Sequence, residues 1–379
     1  MKIGIVCYPT FGGSGVMATE LGKALATKGH EVHFISYNQP ARLDFFTENV
    51  FYHEVSILKY PLFDYAPYET ALASKIVDIT KVAGLDILHV HYAIPHASAA
   101  LLAKMILAEE GIVIPVVTTL HGTDITLVGK EATFKPVVSW SINHSDAVTA
   151  VSESLKLETL EHFNIQRGID VIPNFIDFTR FNKQPKEHFK MVLSPNGEKI
   201  LVHTSNFRKV KRVEDVISVF CLVAAQIPAK LLMIGDGPER THIEMLSREM
   251  ACADKITFLG KQEAVEEILS VCDLFILPSE TESFGLAALE AMACEVPVIS
   301  SNAGGIPEVN IHGETGYLSK VGDVADMAKN AMSILQDDTT LKRFKANALN
   351  RAKHFNLENI MEQYIAVYRR CLSAIQSGV

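Results

Sequence analysis

The stretch KIGIVCYPTFGGSGVMATELGKALATKGHEVHFIS, residues 2–36, carries the fold in its pattern. KIGIVCY and EVHFIS are apolar and β-rich. Between them Gly12, Gly13 and Gly15 precede a run, 15–28, with apolar residues at helical spacing. The order is strand, glycine loop, helix, strand, which opens a parallel α/β sheet. A glycine loop entering a helix leaves free backbone N–H groups, a ready site for an anion and often for a phosphate. The glycine spacing is neither G-x-G-x-x-G nor a P-loop with its lysine, so the loop alone does not name the ligand.

The same logic runs down the chain. Strands are expected at 2–8, 31–36, 86–91, 116–121, 147–151 and near 168–172, with helices at 15–28, 70–83 and 96–109. A second series has strands at 199–204, 230–234, 255–258, 274–277 and 297–300, with helices at 213–226, 239–250, 263–271 and 286–293. After Asp323 the pattern is nearly all helical, and 357–373 keeps apolar residues at helical spacing. The expected fold is α/β: two Rossmann-like, doubly wound parallel-sheet domains facing across a cleft. Their expected bounds are 1–172 and 173–356, with a helix at about 357–379 packing back on the first. The polar, proline-containing stretch VIPNFIDFTRFNKQPKEHFK (171–190) reads as a hinge.

At 379 residues, two domains are expected rather than one core. Apolar residues make up 48% and charged residues 21%, as in a globular protein in water. A net charge of -9 argues against nucleic-acid binding and against an acidic membrane surface. Six scattered cysteines, with no C-x-x-C and no zinc spacing, read as isolated buried thiols in a reducing cytoplasm. The chain opens on a strand pattern, so no signal peptide is expected. No apolar run approaches the roughly 20 residues of a membrane span.

Ligands of open parallel sheets bind at the carboxyl ends of the strands. Three stretches should lie there beside the glycine loop. In TSNFRKVKRVEDVI (204–217), Arg208, Lys209, Lys211 and Arg212 place four cations in five residues. A solvated basic turn would look similar, but in an acidic chain Arg208 and Lys211 fit a diphosphate, gripped by a guanidinium fork and a point charge. In SETESFGLAALEAM (279–292), Glu282 is expected at a helix N-terminus and Glu290 about two turns inside. Carboxylates accept from vicinal hydroxyls of a ribose or sugar. The backbone N–H groups of Ser283, Phe284, Gly285 and Leu286 can meet a phosphate. Glu282 alone would read as dipole complementation. In TTLHGTD (118–124), His121 should point into the cleft. HVHYAIPH (89–96) raises a zinc reading through His89, His91 and His96, but no fourth ligand is near in sequence.

FGGSG (11–15), LHGTD (120–124), NFRKVKR (206–212) and ESFGLAALE (282–290) occur in this order, with VIPNFIDFTRF at the hinge and AGGIPEVNIHGETGYL at 303–318. Together they resemble the retaining glycosyltransferases of family 4, of the two-domain GT-B type, over essentially the whole chain. Phe175 stands where the family's hinge motif has glycine, and Arg208 precedes Lys211 by three residues where five is commoner. Residues 7–36, 89–97 and 204–212 resemble members that move N-acetylglucosamine from its UDP donor to the hydroxyl of L-malate with retention, the first step of bacillithiol biosynthesis.

The resemblance implies roles. Arg208 and Lys211 would hold the diphosphate and stabilise it as it leaves. Glu290 would hold the ribose, Glu282 the donor sugar, and His121 the sugar's 6-hydroxyl. Gly13, Ser14 and Gly15 would approach phosphates and acceptor through backbone N–H groups, which explains their missing side chains. Malate's two carboxylates would draw on Gly13, Ser14, Tyr92, Thr119, Lys130, Lys135 or Asn143. No cofactor is required, and no metal: the chain has no D-x-D triplet, and cations stand in its place. Front-face attack is the family's working mechanism, while a double displacement through a carboxylate stays open. The family often dimerises through its first domain, so a homodimer is one expected assembly.

Three other readings are set against these residues. A nicotinamide dehydrogenase needs an acid at the end of the second strand, which here reads FISYNQ. Another UDP- or GDP-sugar transferase shares the donor motifs and differs only in acceptor. A non-catalytic nucleotide-sugar-binding protein is a further reading; the presence of both glutamates and both cations argues against a dead site, and UDP binding without turnover would support it.

Overall fold

The computed structural model describes residues 1–10, 12–43, 47–57, 67–127, 129 and 131–377. The chain divides into two compact units, Met1–Phe175 with Leu357–Val379, and Ile176–Asn356.

In the first unit the strands are β1 (Lys2–Val6), β2 (Glu31–Ser36), β3 (Val50–Glu54), β4 (Ile87–His91), β5 (Val116–Leu120), β6 (Ala147–Ala150) and β7 (Ile169–Val171). They pair in parallel in the order β3-β2-β1-β4-β5-β6-β7. The helices before the boundary are α1 (Gly13–Thr27), α2 (Tyr68–Ile79), α3 (Ser98–Glu109), α4 (Lys135–His144) and α5 (Glu153–His162). β4 and β5 are buried at every position, as central strands covered on both faces must be.

The second unit has β8 (Lys199–Ser205), β9 (Ala229–Gly235), β10 (Ile256–Gly260), β11 (Leu274–Leu277), β12 (Val298–Ser301) and β13 (Gly316–Ser319), ordered β10-β9-β8-β11-β12-β13 and all parallel. Its helices are α6 (Glu187–Leu193), α7 (Val213–Ala224), α8 (Arg240–Glu249), α9 (Val265–Leu269), α10 (Leu286–Ala293), α11 (Ile306–Val309), α12 (Val324–Leu335) and α13 (Asp338–Ala352). Val213, Val216, Ile217, Phe220 and Val223 recur at helical spacing on α7 and join a core with Leu231, Met233, Met327 and Ile334. Asp323 and Asp337 cap α12 and α13, accepting from Asp326 N at 3.0 Å and Thr340 N at 2.7 Å.

α14 (Leu357–Gln376) returns to the first unit. Its buried Ile360, Met361, Tyr364, Ile365, Val367, Tyr368 and Cys371 form one apolar stripe. Tyr368 reaches His89 on β4, with its hydroxyl 2.7 Å from Nδ1.

Several expectations need correction. The edge strands β3 and β13 and the helices α4 and α5 carry no clear periodic signal and were not among the expected elements. Cys221 and Cys252 are not isolated thiols. The chain leaves α7, passes through β9 and α8, and brings their Cα atoms to 5.5 Å, where they form a disulfide. Cys7, Cys272, Cys294 and Cys371 are free and buried. Among the described residues no helix is long and apolar enough to cross a membrane.

Candidate active site

In each sheet the strand order reverses direction at one place, β1/β4 in the first unit and β8/β11 in the second. The loops leaving those strands splay apart there, and ligands of doubly wound sheets bind in that opening.

In the first unit the loop after β1 runs into α1. Gly12 is the N-cap, with φ -77° and ψ 158°, and no side chain caps the helix. The helix thus begins at Gly13, two residues earlier than its apolar spacing suggests. The N–H groups of Gly13, Ser14 and Gly15 lie in the first turn, where no intrahelical acceptor exists. A side chain at Gly15 would sit 2.5 Å from the carbonyl oxygen of Tyr8 and 2.6 Å from that of Thr10. Gly15 is therefore glycine because its own loop folds against it, and a ligand is not needed to explain it. Gly12 and Gly13 are exposed.

The loop after β4 brings Tyr92 to this helix start. The Ser14 and Tyr92 hydroxyls are 2.6 Å apart. Tyr92 has φ 89° and ψ 138°, a backbone state that costs a non-glycine residue about 1–3 kcal/mol and recurs at functional sites. The Tyr8 ring packs 5.4 Å from Tyr92 and 4.5 Å from His96. His121 closes the group from the end of β5. It is half-buried, with Nε2 2.7 Å from His91 Nδ1 and its ring 5.3 Å from Tyr92. Asp124 staples the two loops, accepting from Ala93 N at 2.8 Å and Gly122 N at 3.1 Å. Burial pushes its pKa up to about 6 despite those donors.

The remaining acceptor-side residues divide. Thr119 is fully buried, bonded to His89 Nε2 and to Thr149, each at 2.7 Å, and is not offered to a ligand. Asn143 ties α4 to the chain beyond α5, donating to Asn164 O at 2.9 Å and accepting from Gln166 N at 2.8 Å. Lys135 is exposed at the start of α4, with Nζ 5.9 Å from the centre of the Phe163 ring. Lys130 lies outside the described residues. The histidines of the zinc reading are engaged with protein: His96 Nδ1 donates to His91 O at 2.5 Å, and His89 is bonded on both nitrogens. Among the described residues no group of three or more His, Cys, Asp or Glu is arranged to hold a metal.

These histidines set an acid limit on stability. Burial lowers the pKa of His89 and His121 to about 3 and of His96 to about 4, and holds His91 well below its ordinary value. The unfolded chain takes up their protons near pH 6.5, while the folded chain resists until near pH 4 or 3. The histidines' contribution to stability is therefore complete above that range and falls as pH drops through it, by up to about 1.4 kcal/mol per pH unit per histidine, which four rings against the one oppositely shifted Asp124 leave as the dominant trend. Urea melts at about pH 7.5 and pH 5 should show the midpoint falling on acidification; equal midpoints would contradict the burial.

In the second unit the loop after β8 carries the cations. Arg208 and Lys209 are exposed. Arg212, in the left-handed region at φ 48°, is used structurally: it bonds Asp215 at 2.6 and 3.2 Å. Lys211 turns to the loop after β11, with Nζ 2.5 Å from Glu282 Oε1. Ser279 Oγ donates to the same oxygen at 3.0 Å, and Glu280 N bonds Val210 O at 2.8 Å, so the two loops hold each other. One ammonium N–H is occupied by Glu282, leaving two for oxygens of a ligand.

Glu282 is not at a helix N-terminus, and Glu290 is about one turn into α10, not two. The helix begins late because Gly285, at φ 93°, directs the chain out of a loop. Gly304 and Gly305 pack against that loop. A side chain at Gly304 would collide with the Glu282 carbonyl and one at Gly305 with that of Ser283, while Gly305 N donates to Glu282 O at 2.8 Å. Phe284 points inward, its ring 5.5 Å from Phe355, so only its backbone faces the loop side. Leu286 opens α10, and Glu290 and Ser283 are partly buried. Sequence reasoning did not single out Ser279, Asp124 or the two glycines as site supports. The AGG triplet was the available signal for the glycines.

Both units thus present, at their own switch points, first-turn backbone N–H groups or cationic side chains beside hydroxyl, imidazole or carboxylate groups. Residues 11–180 match the family described as "Glycosyltransferase Family 4", and residues 184–351 match "Glycosyl transferases group 1". The N-acetyl-alpha-D-glucosaminyl L-malate synthase of Bacillus anthracis is 47% identical over 100% of this chain and 99% of that protein. The chain belongs to glycosyltransferase family 4. Its two α/β units have the GT-B fold of the family. Sucrose-phosphate synthase from Thermosynechococcus elongatus matches it with a TM-score of 0.81 at 23% identity, covering 98% of this chain and 99% of that one. HepE from Anabaena, solved with UDP and glucose, matches with a TM-score of 0.82 at 20% identity, covering 97% and 99%. For this family 4 glycosyltransferase, those two likenesses speak to fold.

Proposed function

We propose that the protein transfers N-acetylglucosamine from UDP-N-acetylglucosamine to the hydroxyl of L-malate, opening bacillithiol biosynthesis. The 47% identity across both full lengths to the Bacillus anthracis synthase carries this reading. The chemistry of the two switch points is consistent with it.

The reaction's main electrostatic burden is charge on the departing diphosphate. Lys211 and Arg208 supply cations for it, and the first-turn N–H groups at Leu286 add donors. Glu290 accepts from the ribose hydroxyls and Glu282 from the sugar. Glu282 holds the Lys211 ammonium in place, 2.5 Å away. On this reading the enzyme works without a metal and with configuration retained at the anomeric carbon. The acceptor's proton goes to a leaving-phosphate oxygen while the new glycosidic bond forms on the same face. The acceptor side draws on the N–H groups of Gly13 and Ser14, the Tyr92 hydroxyl and Lys135. The second unit is then the nucleotide-sugar domain and the first the acceptor domain, in a cytoplasmic enzyme that can assemble as a homodimer.

The test is product identity. Incubation with UDP-N-acetylglucosamine and L-malate should give a species with the mass of N-acetylglucosaminyl malate and an α-anomeric proton coupling. Transfer to other acceptors but not to L-malate would move the chain elsewhere in the family. Lys135→Ala should raise the malate KM about tenfold, the scale of one charge-assisted hydrogen bond, with the donor KM unchanged; an unchanged malate KM removes Lys135 from the site.

A further inference from the structure

The last residue of β4 and the first residue after β5 are joined by a hydrogen bond to which the roles above assign nothing. His91 Nδ1 lies 2.7 Å from His121 Nε2, with the ring centres 5.0 Å apart. One nitrogen donates and the other accepts, and the surroundings decide which. Burial keeps both rings neutral at working pH, so each carries a single N–H. His91 Nε2 is buried with no partner among the described residues. A buried N–H without an acceptor is the costlier orphan, because a donor stripped of water loses its whole interaction, while an under-satisfied acceptor is met more often. The His91 proton therefore sits on Nδ1, where an acceptor awaits it. The ring is also confined: His89 packs 4.5 Å away, and the His91 carbonyl takes the Nδ1–H of His96 at 2.5 Å. With His91 Nδ1 donating, His121 Nε2 accepts, and the one proton of His121 is left on Nδ1.

We infer that His91 is a positioning residue that locks His121 into its Nδ1–H tautomer, so that His121 meets substrate as a hydrogen-bond donor and not as a base. His121 Nδ1 has no protein partner among the described residues, and the half-buried ring leaves it open to an incoming oxygen. The ligand atom it suits is a hydroxyl or carboxylate oxygen. That this oxygen belongs to the transferase's substrates rests on the function proposed above, while the tautomer does not. A donor at this atom takes no proton from the acceptor hydroxyl, which leaves the departing diphosphate as the oxygen that receives it.

The tautomer is read directly by NMR of the full chain with 15N-labelled imidazoles, the His121 signals being identified by their loss in His121→Gln. Nδ1 should show the shift of a protonated, pyrrole-type nitrogen and Nε2 that of a pyridine-type one. The reverse assignment overturns the inference. In His91→Leu the bias is gone: the His121 pattern should move toward a mixture, with kcat/KM down about tenfold or more and UDP affinity unchanged. His91→Asn keeps an N–H near the lost Nδ1 and should restore both the pattern and most of the rate, which a merely packed side chain would not do. A wild-type pattern in His91→Leu also overturns the inference. If His91→Leu does not fold, the wild-type spectrum decides alone. An Nδ1–H spectrum in a protein that does not glycosylate malate supports the tautomer and overturns the functional reading.

Discussion

Replacing Lys211 by Met lowers kcat by about 10³-fold, or about 4 kcal/mol of transition-state stabilisation, under the proposed mechanism. The size follows from where the charge develops. The bond that breaks leaves a diphosphate, and a cation already in place stabilises it without having to reorganise during the reaction. Lys211 is in place because Glu282, itself held by Ser279, pins its ammonium. Lys209→Met removes the same charge from an exposed neighbour and should change kcat/KM by less than about threefold, since solvent screens it. Because Lys211 and Glu282 touch, their single losses should not add, and Lys211→Met with Glu282→Gln should cost less than the product of the two. Steady-state kinetics on the four variants and the wild type checks this. Equal losses from Lys209 and Lys211 would mean a diffuse field, with no specific contact.

Gly304→Ala is expected to lower kcat/KM about 10²-fold while the protein stays folded. Gly304 sits at φ 56°, and its added methyl would collide with the Glu282 carbonyl. Left-handed backbone costs an L-residue about 1–2 kcal/mol, and relieving the collision shifts the Glu282 loop on an ångström scale. Gly313→Ala separates the two effects. Gly313 is also left-handed, at φ 80°, but has open space around it. It should lose a few degrees of Tm, about what 1 kcal/mol removes, and keep its activity. If both variants keep wild-type kinetics, Gly304 does not position Glu282.

The parallel architecture was legible because its central strands are continuous apolar runs and α7 and α14 repeat cleanly. Edge elements were not. β3 has no fully buried residue, so its pattern resembles a loop. α4 leaves Val137 and Trp140 exposed, and α5 leaves Leu157 and Leu160 exposed, which blurs the apolar stripe. Motif spacing brought Arg208, Lys211, Glu282 and Glu290 into one reading, and the sheet topology then joined Lys211 to Glu282. Spacing could not tell that Gly285 delays α10, since that depends on one left-handed residue. Nor could it tell that Thr119 turns inward: strand alternation gives a face, and what covers that face here comes from α14 at the other end of the sequence. The Cys221–Cys252 pairing was hidden for the same reason, being a proximity in space.

The most direct test of the central claim is UDP release from UDP-N-acetylglucosamine, followed in EDTA with and without L-malate. The expected release depends on malate, matches the N-acetylglucosaminyl malate formed, and is unaffected by the chelator. UDP release that ignores malate, or that stops in EDTA, would contradict that claim.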